Sequence, residues 1–207
     1  MLKFFLLILI IKSTFATTYD CYPRSCNGTK HTLCKYTLFE FGPKCNEVKF
    51  NYLTPHYQKE IIYVHNVLRA LTAINDKEPE KNLTIRVAQY KWNNELAEIA
   101  QRWANQCDPG NDECRDVDNF KVGQKFENIK AMNIKTFEIY DLIKNWFYVD
   151  INNYLGDKFY GQATPMSVNN HTIIWDNVML IGCGIIRFYD IDDWYNTYLV
   201  CNYRPDE

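Results

Sequence analysis

The chain lacks any concentration of positive charge. Its 23 Lys and Arg residues are outnumbered by 25 Asp and Glu, and they are scattered along the sequence. That excludes a nucleic-acid surface, which needs a clustered basic excess. Beyond the extreme N-terminus, no apolar run is long enough to cross a bilayer. Internal repeats and low-complexity tracts are absent, so neither a solenoid nor a biased linker is indicated. No Arg-Gly-Asp occurs, and Arg204-Pro205-Asp206 is only superficially like it. Histidine is scarce: His31, His56, His65 and His171 are all there is for imidazole chemistry.

What is present begins with a leader. Met1–Lys3 is a short basic start, Phe4–Ile11 is apolar, and small residues precede a cleavage point after Ala16. Residues 1–16 read as a secretory signal peptide. Their removal takes away Lys3 and Lys12 and no acid, so the formal charge moves from −2 to −4. The remainder is enough for one domain with a sizeable core. It holds eight cysteines, Cys21, Cys26, Cys34, Cys45, Cys107, Cys114, Cys183 and Cys201. An even number in a secreted chain predicts four disulfides rather than redox or metal chemistry. Asn27, Asn82 and Asn170 head Asn-x-Thr sequons and are candidate glycosylation sites.

Residues 17–51 form a cysteine-rich arm with little periodicity, expected to be irregular and tied down by bridges. Residues 52–207 carry the regular elements. Thr54 and Pro55 suit an N-cap and first helical position. Ile61, Val64, Leu68 and Leu71 then recur at helical spacing. His65 sits at the edge of that stripe, while Lys59 and Arg69 are expected in solvent. A second helix follows Trp92, capped by Asn93 or Asn94, with Leu96, Ile99, Ala100 and Trp103 inward. A third starts near Thr136, with Phe137, Tyr140, Ile143, Trp146 and Phe147 as its apolar face.

Three strands are expected last, at His171–Asp176, Leu180–Tyr189 and Tyr195–Tyr203. The final two read as a hairpin about Asp190–Asp193, which together with Asn177 is taken as a solvated acidic turn. Centring that turn on Asp192 sets Cys183 opposite Cys201, Ile185 opposite Leu199 and Tyr189 opposite Tyr195. Alternation puts Cys183, Ile185, Leu199 and Cys201 on one face. It puts Ile186, Phe188, Tyr198 and Val200 on the other. Both faces are apolar, so both need cover. Helices followed by an antiparallel sheet predict an α+β fold, a three-layer α-β-α sandwich.

Several of these segments resemble the CAP superfamily of cysteine-rich secretory, antigen 5 and pathogenesis-related proteins. They are His65-Asn66-Val67-Leu68-Arg69, Trp92–Ala97, Ala100–Cys107, Ile181-Gly182-Cys183-Gly184 and Tyr198–Tyr203. Cys114-Arg115-Asp116-Val117 and His31–Tyr36 are similar to the insect antigen 5 branch. The resemblance implies the pairs Cys21–Cys34, Cys26–Cys114, Cys45–Cys107 and Cys183–Cys201. It also implies a cleft of two His and two acids that holds a divalent metal such as zinc in some members. His65 stands for the first His. Gln124 or Glu127 stands at the first acid position, with spacing from Cys114 favouring Gln124. Val149, beside Asp150, stands at the second. Asn169 takes the place of the second His, and His171 lies two residues along, about 7 Å away on the same strand face.

With two of the four ligands replaced, or three if Gln124 holds the first acid position, the resemblance implies no enzyme and no resident cofactor. His65 and His171 are what remains for a metal. Ser167 near His171 has no acid to orient the imidazole, which is weak support for a hydrolase. The implied function is that of a venom-allergen or salivary antigen 5 type protein, acting by binding an unidentified extracellular protein or lipid. A lipid or sterol carrier is the alternative, with Trp146, Phe147 and Tyr148 lining a channel. His31 and His56 are expected in solvent.

Overall fold

The computed structural model describes residues 19–75, 89–117, 120–132, 137–148 and 178–205. The leader, the strand expected at His171–Asp176, Asn82, Val149, Asp150, Ser167, Asn169, Asn170, His171 and Asn177 lie outside them.

Four α-helices, one short 3-10 helix (Arg24–Cys26) and five strands make up the described fold. The helices are α1 (Thr32–Lys35), α2 (Pro55–Asn75), α3 (Asn94–Ala104) and α4 (139–148). The strands are β1 (Glu47–Phe50), β2 (Lys91–Trp92), β3 (Gly123–Ala131), β4 (Val178–Tyr189) and β5 (Tyr195–Pro205). The sheet runs β1-β4-β5-β3, with β2 also on β4. All pairings are antiparallel except β2 with β4.

The β4–β5 hairpin is the spine. Cys183 faces Cys201, Ile185 faces Leu199 and Tyr189 faces Tyr195, as the turn-centred register predicts. Its two faces close two different cores. Cys183, Ile185, Leu199, Cys201 and Tyr203 pack with Ile61, Val64 and Leu68 of α2 and with Ile139, Leu142, Ile143, Trp146 and Phe147 of α4. Ile186, Phe188, Tyr198 and Val200 pack against Ala100, Trp103 and Ala104 of α3. The architecture is the α-β-α sandwich.

The glycines of β4 explain how closely α3 lies. A Cβ on Gly182 would overlap the backbone of Asn93, Leu96 and Ala97, and one on Gly184 the backbone of Ala100 and Gln101. Only a side chain of hydrogen lets helix and strand backbones meet this way. Gln101 uses the proximity. Its Nε2 donates to Ile185 O at 2.9 Å, and its Oε1 accepts from Ile185 N–H at 3.0 Å. Because β5 occupies one edge of β4, β1 and β2 must share the other, at opposite ends. Gln101 supplies the missing backbone partners in the gap between them.

Four expectations are corrected. The arm is not wholly irregular, since β1 joins the sheet; four residues carry no readable pattern until β4 pairs them. Residues 123–131 form a nine-residue strand that helical or alternating apolar patterning did not reveal. Leu71 and Tyr140 are 48% and 46% exposed, so Leu71 lies beyond the buried stripe of α2 and Tyr140 beside that of α4. Arg69 is buried rather than solvated, with its guanidinium carbon 3.7 Å from the centre of the Tyr90 ring. An aromatic face some twenty residues away accepts the cation there.

Candidate functional site

His65 is the natural starting point. It lies one turn after Ile61 on the sheet-facing side of α2 and is fully buried. Nδ1 is 2.8 Å from Ile61 O, and Nε2 is 2.9 Å from the Tyr203 hydroxyl. A carbonyl only accepts, so Nδ1 carries the proton and donates. Nε2 then accepts from Tyr203 O–H. The ring is neutral. Burial, with a further push from Arg69, holds its pKa down to about 4. Tyr90, Tyr203 and Trp146 surround it, with ring centroids 5.4, 5.7 and 6.5 Å away.

The acid positions do not join it. Gln124 pairs in register with Asn202, whereas His65 bonds to the adjacent Tyr203. Neighbouring strand residues point to opposite faces, so the sheet separates Gln124 from His65. On its own face Gln124 is structural. Its Oε1 accepts from Asp112 N–H and its Nε2 donates to Asn202 Oδ1, each at 2.9 Å. Asn202 Nδ2 donates in turn to Leu96 O at 3.2 Å. Strand parity therefore keeps Gln124, the residue that spacing favours at the acid position, away from His65. Glu127 does share His65's face, but it sits opposite Leu199, four residues and about 13 Å along the strand from Tyr203. The described residues thus bring neither candidate acid to His65, and no cluster of three or more metal-type ligands occurs among them. The donor set does not fit a metal at His65, because the one lone pair left on the ring receives the Tyr203 proton. His171 lies outside the described residues.

Several other chemistry-bearing groups among the described residues are engaged as well. All eight cysteines are bridged, as Cys21–Cys34, Cys26–Cys114, Cys45–Cys107 and Cys183–Cys201. His31 is buried, not solvated as expected. It caps α1, its Nδ1 accepting from Leu33 N–H at 3.1 Å, and burial lowers its pKa. Asp112 accepts from Thr32 Oγ1 at 2.7 Å and pairs with Arg115 at 2.6 Å, which fastens the arm to the loop after α3.

Asp190 is likewise no solvated turn residue. One carboxylate oxygen accepts from Asp192 N–H and Trp194 N–H, the other from Lys130 Nζ and Asn196 Nδ2. Desolvation would raise its pKa. The donors from Lys130, Asn196, Trp194 and Asp192 outweigh that and hold it at about 2. The Gln124–Asn202 and Gln101–Ile185 bonds went unread in the sequence. The period-two glycines flanking Cys183 were the available sign of an intimate helix contact.

The family described as CAP, the cysteine-rich secretory protein family, matches residues 62–203, more than half of the sequence. The chain belongs to the CAP family. Among its relatives, this CAP protein is 36% identical to Venom allergen 3 homolog of Dinoponera quadriceps, across 98% of its own length and 91% of the relative's. It is 35% identical to Venom allergen 5.01 of Dolichovespula maculata, across 97% and 90%. Venom allergen 5 of Microctonus hyperodae is 29% identical across 99% and 93%. A solved structure titled "Structure of BmVAL-1" aligns over 81% of this chain and 82% of that one, at 19% identity and a TM-score of 0.44. The CAP chain is accordingly venom allergen-like along nearly all its length. Among the described residues, no helix is long and apolar enough to cross a membrane.

Proposed function

We propose that this CAP protein is secreted and non-enzymatic, and acts by binding another molecule outside the cell. One observation carries the reading: among the described residues, the buried imidazoles, the two buried carboxylates and the thiols are already committed to the fold. His65 uses both ring nitrogens, His31 caps a helix, Asp112 and Asp190 hold charge-assisted bonds, and every cysteine is bridged. A general base needs a free lone pair within reach of a substrate proton, and a nucleophile needs to be unbonded. The likeness to Venom allergens 3 and 5 supports the same reading. Asn27 is exposed in a left-handed turn and suits a glycan.

The test uses protein recovered from the medium of secreting cells. Its N-terminus should be Thr17, and it should show no turnover of peptide or ester substrates. Retention inside the cell would defeat the secreted part, and turnover abolished in His65→Ala would defeat the rest. Calorimetry with zinc and copper should show no binding that depends on His65. The lipid-carrier alternative gains no specific support: Trp146 and Phe147, two of the rings proposed for a channel, are each only 5% exposed within the α2–α4 core.

A further inference from the structure

A pocket of about 560 Å³ opens on the α2–α4 side of the sheet, lined by His56, Tyr57, Glu60, Phe137, Glu138 and Arg187. That size suits a small organic ligand. The pocket lies where the start of α2 and the residues before α4 meet β4. One wall is aromatic. Tyr57 and Phe137 stack with centroids 5.5 Å apart, and His56 adjoins Tyr57 at 5.9 Å.

The charges are uneven, two carboxylates against one guanidinium. Among the described residues neither Glu60 nor Glu138 has a hydrogen-bonding or ion-pair partner for its carboxylate. Arg187 is built into the wall. Its guanidinium carbon is 4.9 Å from the Phe137 ring centre and 4.8 Å from that of Tyr195, and its Nε donates to Thr197 Oγ1 at 3.3 Å. The start of α2 offers an anion little. Pro55 has no N–H, and the N–H of Tyr57 goes to Thr54 Oγ1 at 3.4 Å.

We propose that this pocket binds a small organic cation, an amine carrying an aromatic or apolar body. The ammonium meets Glu60 and Glu138, and the body lies on the Tyr57–Phe137 wall, where ring faces also favour positive charge. The inference gives the extracellular binding reading a ligand class and rests on that reading only for its biological setting.

The experiment is calorimetric titration of the disulfide-intact secreted protein with phenethylamine and with hydrocinnamate, an anion of similar shape. Phenethylamine should bind and hydrocinnamate should not. Glu60→Gln and Glu138→Gln should each weaken phenethylamine by about tenfold, the loss of one charge-assisted contact, with near-UV circular dichroism unchanged. Equal or tighter binding of hydrocinnamate would overturn the proposal without recourse to any variant. So would the absence of phenethylamine binding up to millimolar concentration, or unchanged binding by both variants. Substrate turnover by the same preparation would instead overturn the non-enzymatic reading and leave the ligand class standing.

Discussion

His65 links burial to pH. The folded protein holds it neutral with a pKa of about 4, against 6.5 for the free side chain. Below pH 6.5 the unfolded chain takes up a proton that the fold refuses. The stability is therefore fully present above 6.5 and is lost as pH falls toward 4, by at most about 1.4 kcal/mol per pH unit. Urea unfolding at several pH values between 7.5 and 4.5 should show that slope, and His65→Gln should flatten it. Asp190 acts lower on the scale. Its pKa lies at about 2 rather than 3.8, so its contribution is present above pH 4 and disappears as pH falls through 2. Asp190→Ala leaves the N–H groups of Asp192 and Trp194 without their acceptor. It should cost about 2–3 kcal/mol at neutral pH, read as a lowered melting temperature.

At the level of elements, the contact between α3 and β4 is the least tolerant. Gly182→Ala or Gly184→Ala places a methyl group against helix backbone, which cannot rotate aside as a side chain could. Each should destabilise by about 3 kcal/mol or more, or sharply reduce secreted yield, because the whole of α3 must shift. Gln101→Ala should cost about 1–3 kcal/mol by unpairing both backbone groups of Ile185. The core of α3 was legible from Leu96, Ile99, Ala100 and Trp103, and its cap to within Asn93 or Asn94, of which Asn93 serves, because both signals are local. β3 was not legible. It is an edge strand of mixed polar character, and what makes it a strand is nine paired residues of β5.

Across the whole molecule, the arm is held by bridges that span very different lengths of chain. Cys26–Cys114 closes 88 residues and Cys21–Cys34 closes 13. Restriction of the unfolded chain predicts losses of about 4.6 and about 3 kcal/mol when each pair is replaced by serine. Thermal unfolding of the two double-serine variants should rank them in that order; the reverse ranking would show that local packing, not chain restriction, dominates.

Some of this architecture followed from sequence alone. Period-two alternation and a four-residue turn set the β4–β5 register, placed Cys183 opposite Cys201 and divided the hairpin's side chains between two cores. Helical spacing located the inner faces of α2 and α3. Such patterns work because neighbours along the chain are neighbours in space. Only the tertiary structure decided the fate of the polar groups. Arg69 is buried because Tyr90 covers it, His65 is neutral because burial keeps water from it, with its Nε2 satisfied by Tyr203, 138 residues away in sequence and 2.9 Å away in space, and Gln124 faces Asn202 rather than His65. A buried polar side chain is determined by the partner that satisfies it, and these partners come from distant parts of the chain.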